Sequence, residues 1–207
     1  MVLAWRGRTS PLGVDHGRYH RSVKAGVLAL QGDFREHARV LRELGAAPVE
    51  VRLPRDLDEV ECLAIPGGES TTISKLARSR LLVDPIRERA AAGMPILGTC
   101  AGMIVMASEV RGGDPLLRLI DLAVSRNAYG RQIDSFETDV EVEGQGPVRG
   151  VFIRAPVVER VGDDVQVLAR QGGTPVVCEQ GSLIAATFHP ELVGDGGLHR
   201  RMLERVG

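Results

Sequence analysis

Cysteine is scarce: Cys62, Cys100 and Cys178 are the three in 207 residues, with no CxxC pair. That excludes a disulfide scaffold and a paired-cysteine zinc site, so no metal is expected, and reduced thiols place the chain in the cytoplasm. Lysine is rarer still. Lys24 and Lys75 stand alone among 26 basic residues, and the arginine excess reads as a coding bias of a GC-rich genome rather than as a binding surface. Charge of one sign is also missing. The 26 basic residues meet 27 acidic ones for a net charge of −1, so no chain-wide field recruits nucleic acid or an anionic membrane. No apolar run approaches the ~20 residues of a membrane span.

What remains describes an ordinary globular chain. Its 43% hydrophobic and 26% charged content are typical of soluble domains. Its length fits roughly one domain that buries about 70% of its unfolded surface without staples. Charge is uneven, however. Arg6, Arg8, Arg18, Arg21 and Lys24 face only Asp15 in the first 24 residues. That stretch has neither helical nor strand periodicity, lacks the apolar core of a secretory signal, and reads as a flexible N-terminal extension. A mis-called start codon, with Val23 as the true start, accounts for it.

From residue 25 to 207 the pattern is that of a single domain. Short apolar runs at 25–30, 48–53, 61–68 and 94–99 read as buried parallel strands. They alternate with helices over 34–45, 70–82 and 84–93, and with a helix opening at Cys100 and running through CAGMIVMASEV. Strand–helix alternation at this spacing implies an α/β fold with a mostly parallel central sheet flanked by helices, flavodoxin-like in class. Segments 136–144, 148–156, 165–170, 174–180 and 182–190 read as antiparallel strands added to that core in the C-terminal half. A helix over 198–206 closes the chain.

The most informative stretch is Gly98-Thr99-Cys100-Ala101-Gly102, a G-x-C-x-G pattern between a strand and a helix. It is the cysteine counterpart of the nucleophile elbow. Such a turn exposes sulfur at the carboxyl end of the sheet, sets it at a helix N-terminus that favours thiolate, and aims the Ala101 N–H at a developing oxyanion. A buried structural cysteine fits the pattern as well. A nucleophilic thiol needs a base and an orienter. His189-Pro190-Glu191 ends a predicted strand, and residues i and i+2 of an extended chain share a side. His16, His20, His37 and His199 fit that role less well, since the first two lie in the leader and the others on helices. Pro66-Gly67-Gly68-Glu69-Ser70 permits close backbone approach and a free N–H, although a tight turn with Ser70 as a helix N-cap explains it equally. It lacks the lysine of a phosphate loop. Cys62 and Cys178 read as core residues.

PGGES, GTCAG and HPE in this order resemble the class I, triad-type glutamine amidotransferases. LQGDFREH at 30–37, PGGESTT at 66–72, SRNAYGRQIDSFE at 125–137 and VFIRAP at 151–156 closely resemble the glutaminase subunits of pyridoxal 5′-phosphate synthase. The resemblance spans residues 25–206. Its departures are the leader and SRN in place of the commoner ERN at 125–127.

By that resemblance Cys100 is the nucleophile, His189 the general base and acid, and Glu191 the orienting carboxylate. Gly68, Glu69, Ser70, Arg126, Ile153 and Arg154 would contact L-glutamine, with the amides of Gly68 and Ala101 as the oxyanion hole. The implied activity is hydrolysis of glutamine to glutamate and ammonia, without a cofactor. The implied partner is a (β/α)₈-barrel synthase subunit in a large hetero-oligomer that builds pyridoxal 5′-phosphate. Two readings compete: an amidotransferase subunit of purine or histidine synthesis, and a non-catalytic module on the same scaffold.

Overall fold

The structure, a computed structural model, describes residues 22–126 and 135–207. The expected leader lies outside them up to residue 21, as does most of the RNAYGRQ motif. Residues 22–24 belong to the fold: Lys24 opens the first strand, and the Val23 carbonyl accepts from Ala47 N–H at 2.8 Å.

The first half alternates as the apolar runs require. It comprises β1 (Lys24–Leu28), α1 (Phe34–Glu43), β2 (Ala47–Val51), β3 (Cys62–Ile65), α2 (Ser70–Ser79), α3 (Val83–Ala91), β4 (Ile96–Thr99) and α4 (Ala101–Met106). The second half is richer in strands: β5 (Ala107–Arg111), β6 (Ile120–Ser125), β7 (Phe136–Val142), β8 (Gly146–Phe152), β9 (Val157–Val161), β10 (Gln166–Gln171), β11 (Thr174–Gln180) and β12 (Leu183–Ala186), closed by α5 (Gly197–Leu203). The seven-stranded central sheet runs β10-β11-β12-β4-β3-β1-β2. From β12 to β2 all pairings are parallel, and the β10-β11-β12 edge is antiparallel.

Alternation along the strands explains why the sheet is covered on both faces. In β3, Leu63 and Ile65 join one apolar cluster with α2 and α4 residues, while Cys62 and Ala64 join another with Val40 and Leu41 of α1 and Leu198 and Met202 of α5. Successive side chains of a strand point to opposite faces, and a parallel sheet with helices on both faces must be apolar on both. Each fully buried Leu or Ile contributes roughly 1.5–3 kcal/mol of transfer free energy.

Three expectations change. The helix from Cys100 ends at Met106, and residues 107–111 form β5 instead. The partly exposed positions Ser108 and Val110 flank exposed Glu109, an edge-strand pattern that short-range periodicity does not separate from a helix end. The later strands do not all extend the core: β5-β6-β9 and β7-β8 form separate small sheets, and β12 belongs to the parallel core itself, beside β4. Strands β6 and β9 escape the sequence reading.

Candidate active site

β4 ends in the middle of the sheet and delivers Cys100 with φ 48° and ψ −103°, a left-handed backbone for a non-glycine residue. Such strain costs of order 1–3 kcal/mol and persists where the surroundings over-determine it. Here they do. The Cys100 N–H donates to the Ala186 carbonyl of β12 at 2.8 Å. The flanking glycines are needed for contact: a Cβ at Gly98 would lie 2.4 Å from Met106 Sδ, and one at Gly102 would lie 2.1 Å from the Ile65 carbonyl oxygen. Gly102→Ala is therefore expected to destabilise the protein by about 2 kcal/mol or more, through a displaced elbow. Urea denaturation measures it, and an unchanged midpoint contradicts it.

His189 follows β12 and is held by a two-bond bridge to β8: its N–H donates to the Val151 carbonyl at 2.9 Å, and Val151 N–H returns a bond at 3.3 Å. The Pro190 backbone is helical, and Glu191 opens a single 3₁₀ turn through Val193. So the extended geometry expected for 189–191 is absent. The turn nevertheless sets His189 Nδ1 2.9 Å from Glu191 Oε1. Asp33 Oδ2, at the N-terminus of α1, lies 3.3 Å from the same nitrogen. The Cys100 side chain is near enough to act on the imidazole as well. With Nδ1 committed to carboxylate, Nε2 is the nitrogen left for sulfur.

Burial works to lower the His189 pKa. Hydrogen bonds to Asp33, Cys100 and Glu191 outweigh it and raise the value well above 6.5. Glu191 is fully buried, which works to raise its pKa, but His37 and His189 on either side hold it below the ordinary carboxyl range. A cationic imidazole beside a thiol and a fixed carboxylate can hold a thiolate and hand a proton to a leaving group. Asp33, His189 and Glu191 bring three potential metal-ligand atoms within 4.8 Å, but the Nδ1 proton already donates to Glu191, which leaves that nitrogen no lone pair for a cation.

The other cysteines differ. Burial, with Glu61 adding to it, pushes Cys62 up to about 12; burial, partly offset by Arg170, pushes Cys178 up to about 11. One equivalent of iodoacetamide at neutral pH should modify Cys100 and spare Cys62 and Cys178, as read by peptide mass spectrometry. Labelling spread over all three would contradict this assignment.

The PGGES segment lies against the imidazole. A Cβ at Gly67 would stand 2.0 Å from His189 Cε1, and one at Gly68, where φ is +141°, would stand 2.5 Å from Gln31 Oε1. Gln31 Oε1 also accepts from Glu69 N–H at 2.7 Å. Glu69, rather than Ser70, caps α2: its carboxylate accepts from Thr71 N–H at 2.9 Å and Thr72 N–H at 2.6 Å. The Thr72 hydroxyl leads the hydrogen bonds that bring Glu69 down to about 2. Arg126 Nη2 donates to Thr71 Oγ1 at 3.0 Å and sits 3.5 Å from Glu69 Oε1. Opposite, the Cys100 thiol donates to the Ile153 carbonyl at 3.9 Å, and Arg154 follows with φ 44°. Of the expected glutamine contacts, Glu69 and Arg126 meet at the start of α2, where Glu69 is flanked by Gly68 and Ser70, while Ile153 touches Cys100 and is followed by Arg154. Ala101, the first residue of α4, has an N–H without an intrahelical partner.

Asp33 and Thr99, near the triad, are given no role by the sequence reading, and His37, which it weighs as a base, lies against Glu191 instead. His37 Nε2 lies 3.3 Å from Glu191 Oε1 and 3.1 Å from Thr99 Oγ1, and Thr99 donates to the same Oε1 at 3.2 Å. A signal existed, since His37 shares the buried face of α1 with Val40 and Leu41, where a polar side chain requires a partner.

Residues 27–206 match the SNO glutamine amidotransferase family. The chain is 54% identical over 188 residues to "Pyridoxal 5'-phosphate synthase subunit PdxT" of Frankia casuarinae, covering 88% of this chain and 94% of that one. It is 54% identical to the protein of the same name from Thermus thermophilus, covering 88% and 97%. A solved structure described as a glutamine amidotransferase superposes with a TM-score of 0.85 at 52% identity, over 88% of this chain and 98% of that one. PurLQS from Thermotoga maritima shares the fold alone, with a TM-score of 0.68 at 18% identity.

Proposed function

The chain belongs to the SNO glutamine amidotransferase family, and from that premise we propose how its residues divide the work of a glutaminase. It is the glutamine amidotransferase subunit of a pyridoxal 5′-phosphate synthase, as its relatives of more than 50% identity are named. The observation that carries the division of roles is the strained Cys100 beside an imidazole whose Nδ1 lies 2.9 Å from buried Glu191.

The Cys100 thiolate attacks the side-chain amide carbon of L-glutamine. The oxyanion rests on the amides of Ala101 and Gly68, donors that need no reorganisation as charge develops. His189 gives its proton to the departing nitrogen, ammonia leaves, and a glutamyl thioester remains on Cys100. His189 then takes a proton from water, which attacks the thioester and releases glutamate. Glu191 keeps the imidazole oriented and supports its positive charge. Arg126 pairs with the substrate carboxylate, Glu69 with its ammonium, and Ser70, Ile153 and Arg154 complete the grip. Ammonia passes to a (β/α)₈-barrel synthase subunit in a large hetero-oligomer.

Co-purification with such a synthase, followed by an assay of glutamine-dependent pyridoxal 5′-phosphate formation, tests this. The expected result is a stable complex and product only when both subunits are present. Glutamine hydrolysis with no stimulation by the synthase, and no rescue of a vitamin B6 auxotroph, would favour an amidotransferase of another pathway.

A further inference from the structure

Behind the triad lies a pair of further imidazoles. His37 Nδ1 and His199 Nε2 are 2.7 Å apart, and both rings are fully buried. His37 comes from α1 and His199 from α5, so the pair bridges the two helices on one face of the sheet. From its other nitrogen His37 reaches Thr99 Oγ1 and Glu191 Oε1, and Thr99 immediately precedes Cys100.

The protons of this array can be placed by counting. Glu191 is a carboxylate and only accepts, so the Thr99 hydroxyl donates to it and leaves its own oxygen to accept from His37 Nε2–H. His199 Nδ1 is buried without any hydrogen-bond partner. A buried N–H without an acceptor is rarer and costlier than a buried lone pair. His199 Nδ1 is therefore the bare nitrogen, and its proton sits on Nε2, pointing at His37 Nδ1. His37 must then accept there, which makes it neutral with its one proton on Nε2.

We infer that His37 is a positioning residue for the triad, held by His199 as a neutral Nε2–H donor, so that it fixes the Glu191 carboxylate without neutralising it. An imidazolium at position 37 would compete with His189 for that one negative charge. His199 prevents this by occupying the Nδ1 lone pair where a second proton would bind. His199 itself stays uncharged, because burial pushes its pKa down. The polar groups in contact with the pair are Thr99 of β4 and Glu191 of the segment after β12; Glu191 is met in turn by His189, which also pairs with Asp33, and by Arg39, which donates to the Glu191 carbonyl at 3.4 Å.

The inference rests on the glutaminase reading for its kinetic test but not for its spectroscopic one. Long-range ¹⁵N imidazole NMR on the full chain should show His37 and His199 both neutral and protonated at Nε2 from pH 6 to 8, and a His37 imidazolium at pH 7 would overturn the proposal. In the complex with the synthase, His199→Leu should move the alkaline limb of kcat/KM for glutamine down by about one pH unit, with roughly a tenfold loss above that limb. His199→Gln, which returns an N–H to His37, should restore it. Profiles of one shape that differ only in height for all three proteins would make the pair a packing element and overturn the positioning role. A wild type that hydrolyses no glutamine would refute the functional reading and leave the NMR result standing. If His199→Leu does not fold, the NMR measurement decides alone.

Discussion

Cys100→Ala is expected to abolish glutamine hydrolysis, by at least ~10⁴-fold in kcat, while leaving fold and association with the synthase intact. The reason lies in what the elbow is built to present. Gly98 and Gly102 admit contacts that no larger residue tolerates, and Cys100 adopts a left-handed backbone that places its sulfur where the imidazole reaches it. Alanine accepts the same backbone and removes only the nucleophile. Relief of strain is not expected, since the φ of 48° disfavours alanine as it does cysteine. The measurement is single-turnover ammonia release by the complex, with circular dichroism as the control. Hydrolysis at the wild-type rate would remove Cys100 from the reaction.

Glu191→Gln is the second large effect, a loss of about 10³–10⁴-fold in kcat/KM. Glutamine keeps the size of the side chain but loses the charge that supports the imidazolium and presents an N–H₂ group to an Nδ1 that needs an acceptor. The alkylation rate of Cys100 at neutral pH should fall in parallel. The pH dependence of stability separates the two members of the pair. Glu191 is lowered from 4.5, so its contribution to stability is present above 4.5 and is lost as pH falls below that value. His189 is raised from 6.5, so its contribution is complete below 6.5 and is lost as pH climbs through its folded value on the alkaline side. Glu191→Gln should flatten the acid limb of the stability curve and bring the alkaline loss to lower pH. A curve unchanged on both limbs would show that the carboxylate is not coupled to the imidazole.

How much of this was legible in the sequence depends on whether the signal was local. The strands β1, β3 and β4 were, because a strand buried on both faces is an unbroken apolar run; β2, a half-exposed edge strand carrying Glu50, was legible from its place in the strand–helix alternation. The elbow was, because its glycines and cysteine lie within five residues. His189 and Glu191 do meet, though through a turn at Pro190 rather than along an extended strand. The strands β5, β6 and β9 were less visible, since each is only five or six residues long and so short a segment is not separated by periodicity from a helix end or a loop. His37 and His199 fit the role of base less well by sequence because each sits on a helix, yet α1 and α5 pack on the same sheet face and bring the two rings together. No linear pattern encodes a distance of 162 residues; a histidine on the apolar stripe of each helix was the one available clue.

The bridge between Val151 and His189 has a mechanical consequence. β8 carries Val151 at its end, and two residues later Ile153 offers its carbonyl to the Cys100 thiol. The β7-β8 pair forms a small sheet of its own, but the Glu143 N–H in its turn donates to the Leu168 carbonyl of β10 at 2.8 Å. It is thus a strap tied at one end to the edge of the central sheet and at the other to the backbone of the base and the nucleophile's thiol. The sheet edge therefore steadies one end of the same strap that, at its other end, holds the His189 backbone and meets the Cys100 thiol.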